Sequence, residues 1–198
     1  MKCFFSVCLV LSVITSGLSQ SYANGWNSAT ATYENPHFGN SWQIIHELKW
    51  EERTAKADDV LLKVLNEDTH IMVLLKVSEI NDSTGDAWDM LPMYNADEYQ
   101  SMTRNMARNL GMSLQYSQPI RSQLCGRRAV KVTTNMTKYH KEQDMTVHSV
   151  TYMYQVVDAN HIYTLSIVAL SLLADELKDF ERISTMLING FNINQKPA

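Results

Sequence analysis

Along most of the chain apolar and polar residues alternate with a period of two. In two places the period lengthens to that of a helix. Residues 145–157 are rich in Val, Thr and Tyr, the types that fit a pleated, half-buried surface. Asp158, Ala159 and Asn160 follow; Asp and Asn bond their own backbone and tolerate left-handed geometry, which predicts a short turn. Residues 161–170 alternate again, with Tyr163, Leu165, Ile167 and Ala169 on one face and Ile162, Thr164, Ser166 and Val168 on the other. Two long strands with so short a link predict an antiparallel hairpin. The second strand carries apolar groups on both faces, which places it inside a sheet and not at an edge.

After Leu170 the period changes. Leu173, Leu177, Phe180, Ile183 and Leu187 recur at helical spacing, with Asp175, Glu176, Asp179 and Glu181 between them. The acids lie in the early turns, where they favour the positive end of the helix dipole. Gly190 is the expected left-handed stop, with Phe191 folding back near Met186. Packing the stripe on the preceding hairpin would bury both.

Upstream, residues 24–40 are polar and read as a flexible lead. Residues 41–50 are ambiguous, since Trp42, Ile45 and Leu48 suit a helix better than a strand; Trp42 and Trp50 are expected to pack on the sheet either way. Residues 59–65 and 70–77 predict a second hairpin. Residues 78–93 read as a loop carrying Trp88. Asn95 is expected to cap a helix, with Glu98 reaching back and Tyr94 stapled to Tyr99. Tyr99, Met102, Met106 and Leu110 would be its buried stripe, and Gly111 its stop. A strand over 112–118 should break at Pro119, and strand character resumes over 123–138, with Gly126 at a turn or bulge. Residues 139–144 form a charged turn. Strands, a helix, a three-strand meander and a helix make an α+β pattern with mostly antiparallel pairing.

Length bounds this at one domain, since the chain has 198 residues. Its start has the form of an export signal: Lys2, then a twelve-residue apolar run over 3–14, too short to span a bilayer as a helix. Small residues at Ser21 and Ala23 set cleavage after Ala23, with Gly17-Leu18-Ser19 as a second site and an uncleaved anchor as the competing reading. The expected layout is a signal peptide over 1–23, a lead over 24–40 and a domain over 41–194. Losing residues 1–23 removes Lys2 and leaves 16 basic against 21 acidic residues. That balance argues against a nucleic-acid or anionic-membrane partner. Only Cys125 remains, so the exported monomer has no internal disulfide.

The run from Leu124 through Cys125, Gly126, Arg127 and Arg128 to Ala129 opens a strand. A charged turn, a strand–turn–strand with Tyr163-Thr164-Leu165, and a helix with Phe180, Ile183 and a closing Gly190-Phe191 complete the order. This order resembles the PsbP/Mog1/DcrB-like group over residues 42–193. The resemblance implies a central antiparallel sheet flanked by helices on both sides. It also implies an accessory or assembly role of the kind found among photosystem II extrinsic subunits and exported envelope proteins. The chain departs from the group in its lead segment and its Trp- and Met-bearing stretch over 87–93.

Candidate chemistry is sparse. Cys125 with His148 or His161 could form a thiol hydrolase, but Cys125 has no local signature of one and reads more simply as a small half-buried residue. His140, Glu142, Asp144 and His148 lie close in sequence, without a recognised metal-ligand spacing. Arg104, Arg108, Arg127 and Arg128 are cations, but adjacent residues on a strand point to opposite faces. Asn81 and Asn135 head glycosylation triplets. No catalytic, cofactor or metal-binding residue is assigned. The expected function is an exported, non-enzymatic accessory protein of the periplasm or exterior, with another envelope or secreted protein as partner. The alternatives are the Cys125 hydrolase and a small-ligand carrier with its pocket between the Tyr99/Met102/Met106 helix and the sheet.

Overall fold

A computed structural model describes residues 25–45, 47–55, 59–80, 85–158, 160–172, 177 and 179–193. Eleven strands are described: β1 Trp26–Asn27, β2 Thr32–Asn35, β3 Asn40–Gln43, β4 Glu51–Glu52, β5 Val60–Asn66, β6 Ile71–Glu79, β7 Ser113–Leu124, β8 Arg127–His140, β9 Met145–Asp158, β10 His161–Ser171 and β11 Phe191–Ile193. A 3-10 turn at Ala87–Met90 leads into α1 Leu91–Asn95 and α2 Asp97–Asn109, and α3 is Phe180–Asn189. The signal-peptide reading, the Asn81 triplet and Leu173 lie outside the described residues.

The strands form two antiparallel sheets, a seven-stranded one in the order β4-β5-β6-β10-β9-β8-β7 and a four-stranded one in the order β1-β2-β3-β11. β10 joins the two predicted hairpins, pairing with β9 from His161 opposite Asp158 and with β6 from His161 opposite Glu79. Its interior position matches its two apolar faces. Tyr163, Leu165, Ile167 and Ala169 are all buried in one core with Leu62, Val64, Val73 and Leu75.

The class is α+β in a single domain, but the single central sheet is split in two. Within the expected lead, residues 25–40 are part of the fold. Tyr33 is 1% exposed and Trp42 is fully buried, and both belong to the main core. The small sheet and α3 cover one face of the large sheet. Polar composition hid this, because β2 and β3 alternate: Tyr33, Asn35, Asn40 and Trp42 turn inward, and Glu34 and Gln43 turn out. Asn35 is satisfied locally, donating to the Tyr33 hydroxyl at 3.0 Å and accepting from the Phe38 amide at 3.2 Å. On the opposite face Ala87, Tyr94, Val130 and Val132 form a second cluster beneath α1, and Ala107, Met112 and Met136 form a third beneath α2.

Several local expectations change. β7 runs through Pro119, which pairs with Val132. As an edge strand β7 has a neighbour on one side only, so a missing N–H is tolerated. Cys125 and Gly126 both have positive φ, 44° and 76°, between the paired Leu124 and Arg127. That is the two-residue hairpin link whose twist matches the strands, so Cys125 lies in a turn and not in a strand. Asn95 ends α1, with its Nδ2 donating to the Leu91 carbonyl, and α2 starts after Ala96 without a side-chain cap. Pro92 in the first turn of α1 starts that helix early and uses up the residue that would have capped α2. Tyr94 and Tyr99 do meet, edge to face at 4.7 Å.

Met102 is 57% exposed, and α2 instead buries Thr103 and Ala107. The stripe runs Tyr99–Thr103–Met106/Ala107–Leu110, and Met102 sits about a quarter turn off it. Small residues at the contact seat α2 closely on the sheet. α3 begins only at Phe180, with Leu177 half-buried before it. Phe191 pairs with Trp42 in the small sheet and does not fold onto Met186, which is exposed.

Candidate protein-binding face

Register sets the side chains on the β7–β9 end of the large sheet. Tyr116 lies beside Asn135, Gln118 beside Thr133 and Ile120 beside Lys131; Thr133 lies beside Tyr152 and Lys131 beside Tyr154. Alternation puts all of these on the face that carries α3. The small sheet covers that face at β5, β6 and β10. Toward β7 it is open: Tyr116 is 47% exposed and Ile120 44%. Tyr139, further along β8, is more exposed still, and its hydroxyl donates to Asp144 at 2.8 Å.

The centre of this face is an aromatic–cation cluster. Lys131 Nζ lies 4.2 Å from the Tyr152 ring centroid and 5.6 Å from that of Tyr154. Phe180 at the start of α3 stacks on Tyr152 at 4.9 Å with the planes 6° apart. An ammonium over an aromatic face is held by the ring quadrupole. Burial raises the phenol pKa of Tyr152, and nearby Glu181 and Tyr116 add to it. Burial pushes Tyr154 up to about 12, with smaller contributions from Tyr152 and Glu181. Tyr163 in the main core is also pushed up to about 12, chiefly by burial.

These shifts give a sign for alkaline behaviour. A phenol that stays protonated in the folded chain contributes its full stability below the unfolded pKa of about 10, and the contribution is lost as pH rises through the folded value. Stability is therefore expected to fall between about pH 10 and pH 12. Phenolate absorbance followed with denaturant midpoints should show late ionisation of the buried tyrosines. Full tyrosine ionisation near pH 10 with an unchanged midpoint would contradict the burial.

On the opposite face Trp88 anchors the 3-10 turn. Asp86 caps that turn, accepting from the Trp88 amide at 2.7 Å. Trp88 Nε1 donates to the Ser122 and Ala129 carbonyls at 3.2 and 3.1 Å, which ties the turn to β7 and β8. Arg121 and Arg128 lie over its ring at 5.1 and 4.5 Å, and Arg128 also pairs with Asp86. The hydrogen bond from Arg128 is the main cause that holds the Asp86 carboxyl below its usual range. Trp88 is thus half-buried and structural, while Met93 on α1 is exposed.

Of the sequence candidates, Cys125 and His161 share the neighbourhood of Tyr163, the His161 ring lying 6.2 Å from the Tyr163 ring, while His148 sits at the other end of β9. Burial raises the Cys125 thiol, and its hydrogen-bond partner is the Ile193 backbone. His161 packs on Phe38 at 5.4 Å, and His148 lies in β9 opposite Thr137 and Ser171. Cys125 is therefore expected to alkylate more slowly at neutral pH than a free thiol, and Cys125→Ser to shift stability by no more than about 1 kcal/mol. Rapid alkylation by iodoacetamide would overturn that. Among the described residues no three His, Cys, Asp or Glu side chains group where they could hold a metal. Arg127 pairs with Asp158 and Arg128 with Asp86, on opposite faces. Asn135 is half-buried within β8.

No protein-family model matches the chain. No curated protein matches it either. Solved structures do. The solution structure of the cyanobacterial PsbP protein CyanoP from Synechocystis sp. PCC 6803 aligns with 89% of this chain and 98% of its own, at TM-score 0.50 and 12% identity. The fold is PsbP-like. Two looser likenesses are the Saccharomyces cerevisiae Ran-binding protein Mog1p, at TM-score 0.44 and 10% identity over 82% of this chain and 94% of its own, and Mycobacterium tuberculosis LpqN, involved in cell envelope biogenesis, at 0.43 and 9% over 79% and 83%. At such identities the likeness is one of fold, and the PsbP-like resemblance read from the order of strands and turns is present in three dimensions. No described helix is long and apolar enough to cross a membrane.

The Lys131–Tyr152–Tyr154 cluster and the exposed Tyr116 and Ile120 were missed at the level of sequence. One signal for this region was available. Residues 99–141 carry eight Lys or Arg and no Asp or Glu, while the remaining residues carry nine basic and 21 acidic. The net charge of −4 conceals that block.

Proposed function

We propose that this is an exported, non-enzymatic accessory protein that binds another protein through the open β7–β9 face. The observation that carries the reading is the exposed Tyr116 and Ile120 beside the Lys131–Tyr152 cluster on an otherwise covered sheet. Tyrosines and an apolar side chain around a half-buried cation are the groups that anchor protein interfaces. The non-enzymatic part is supported by Cys125, whose thiol pKa burial raises, and by the place of His148 in β9 opposite Thr137 and Ser171. Export is supported by Lys2, the apolar run over 3–14 and the small residues ending at Ala23.

Ile120→Glu places a charge on the face without touching the core. Affinity capture from the native source with wild-type chain should retain a protein that the Ile120→Glu chain does not. Equal capture by both would remove this face from the interaction. N-terminal sequencing of the secreted chain should begin at Asn24; a chain beginning at Met1 would remove the cleaved signal.

A further inference from the structure

We propose that the partner contributes an extended acidic segment that adds as an eighth strand to the free edge of β7. This rests on the partner-binding reading above and names the chemistry and geometry of the docked segment. Among the described residues β7 is the last strand of the seven-stranded sheet and pairs only with β8. Its twelve residues therefore offer one unpaired row of backbone donors and acceptors. The opposite edge offers far less, because β4 has two residues. Such an edge is a template for an incoming strand, in which main-chain bonds give affinity and alternate side chains give specificity.

Charge selects the occupant. β7 and β8 carry Arg121, Arg127, Arg128, Lys131 and Lys138 and no acid. Arg127 and Arg128 are already neutralised by Asp158 and Asp86. Arg121 on β7 and Lys131 and Lys138 on the neighbouring β8 form no ion pair with another described residue, so the charge beside the edge is basic on a chain whose overall charge is negative. A second copy of this chain would bring a second set of these cations with no acid on β7 or β8 to meet them, and like charges close together across strands are destabilising. The ladder of backbone groups matches a polypeptide strand and has no counterpart in a nucleic acid or a lipid surface.

Alternation refines the chemistry. On the open face β7 displays Tyr116, Gln118 and Ile120, and on the other Ser117, Pro119 and Arg121. An added strand thus sets one row of its side chains beside exposed apolar groups and the other beside Arg121. An acidic–apolar alternation suits both rows. Pro119 lacks an N–H and interrupts the edge, so the ladder divides at that residue.

The test uses an acetylated alternating Glu-Val decapeptide as the probe, with the Lys-Val peptide as control. Amide hydrogen exchange of the intact chain should slow about tenfold or more within residues 113–124 on saturation with Glu-Val. Arg121→Glu with Lys131→Glu should weaken binding about tenfold or more, as should raising salt from about 0.05 M to about 0.5 M. Equal binding of the Lys-Val peptide, or binding without slowed exchange in β7, overturns the proposal. So does a β7-dependent dimer seen by sedimentation, or tighter binding of a single-stranded oligonucleotide or of phosphatidylglycerol vesicles that slows the same amides. The two readings fail differently. Capture lost with Ile120→Glu but no peptide effect leaves the binding face and removes the strand addition; capture equal in both chains removes the face itself.

Discussion

Replacing Gly190 with Ala is expected to destabilise the chain by at least about 3 kcal/mol, although its backbone angles are ordinary. Gly190 follows α3 with φ −80° and ψ −9°, a conformation open to any residue. On those angles alone Gly→Ala should stabilise by roughly 0.4–1 kcal/mol, because it narrows the unfolded ensemble. The space decides otherwise. The Gln43 amide donates to the Gly190 carbonyl at 2.9 Å, and a Cβ on Gly190 would stand 1.8 Å from the Gln43 carbonyl oxygen. The obstacle is backbone of β3, so it yields only if β3 and β11 separate. Gly111 is the control. It has φ +64°, and an added Cβ would meet only the Lys138 side chain at 3.7 Å. Gly111→Ala should cost about 1–2 kcal/mol, the ordinary penalty of a left-handed residue. Urea midpoints of the two variants rank the effects. A stabilised Gly190→Ala would mean that β3 does not pass against this residue.

That glycine shows what the sequence could and could not say. A Gly after a helical stripe is read as a left-handed stop, because the chain around it carries no record of which strand will pass by. The two hairpins were legible, since period-two alternation and short polar links are local. So was the interior place of β10, because Tyr163, Leu165 and Ile167 on one face and Ile162 and Val168 on the other admit no solvent side. The small sheet was not legible. β2 and β3 are four residues each, β1 two and β11 three, and β11 comes from the far end of the chain. Strands so short offer too few positions for their alternation to stand out, and nothing local joins β3 to a partner so distant in sequence.

The candidate face was hidden for a similar reason. Lys131, Tyr152 and Phe180 meet only through the β8–β9 register and the landing of α3. Tyr152 and Tyr154 read as strand residues, and nothing local places a cation over them. The concentration of cations over residues 99–141 was visible but averaged away in the net charge. Cys125 teaches the reverse. It stood out because it is the sole cysteine after Cys8, whereas its position follows from needing a two-residue link between Leu124 and Arg127.

Trp42→Ala should be the more severe lesion in the core, costing about 4–5 kcal/mol, the upper range for emptying a large aromatic site. Trp42 is fully buried in β3 and meets the Phe191 ring edge-on at 5.6 Å. Its Nε1 donates to the Leu187 carbonyl at 2.7 Å. It therefore holds together β3, β11 and the last turn of α3, three elements far apart in sequence. Trp42→Phe separates packing from hydrogen bonding. It keeps a ring in the site but removes the indole donor, and the Leu187 carbonyl retains the longer bond from the Gly190 amide at 3.3 Å. A loss of about 1–2 kcal/mol is expected, the cost of a weakened buried acceptor with a modest cavity. The measurement is urea unfolding followed both by backbone circular dichroism and by tyrosine fluorescence. Since Trp42 and Tyr33 of the small sheet share one core with Leu165 and Val73 of the large sheet, both probes should move together to a lower midpoint. A Trp42→Ala chain that kept the wild-type midpoint in circular dichroism would show the large sheet standing without the small one. Residues 25–40 would then return to the role of a lead segment.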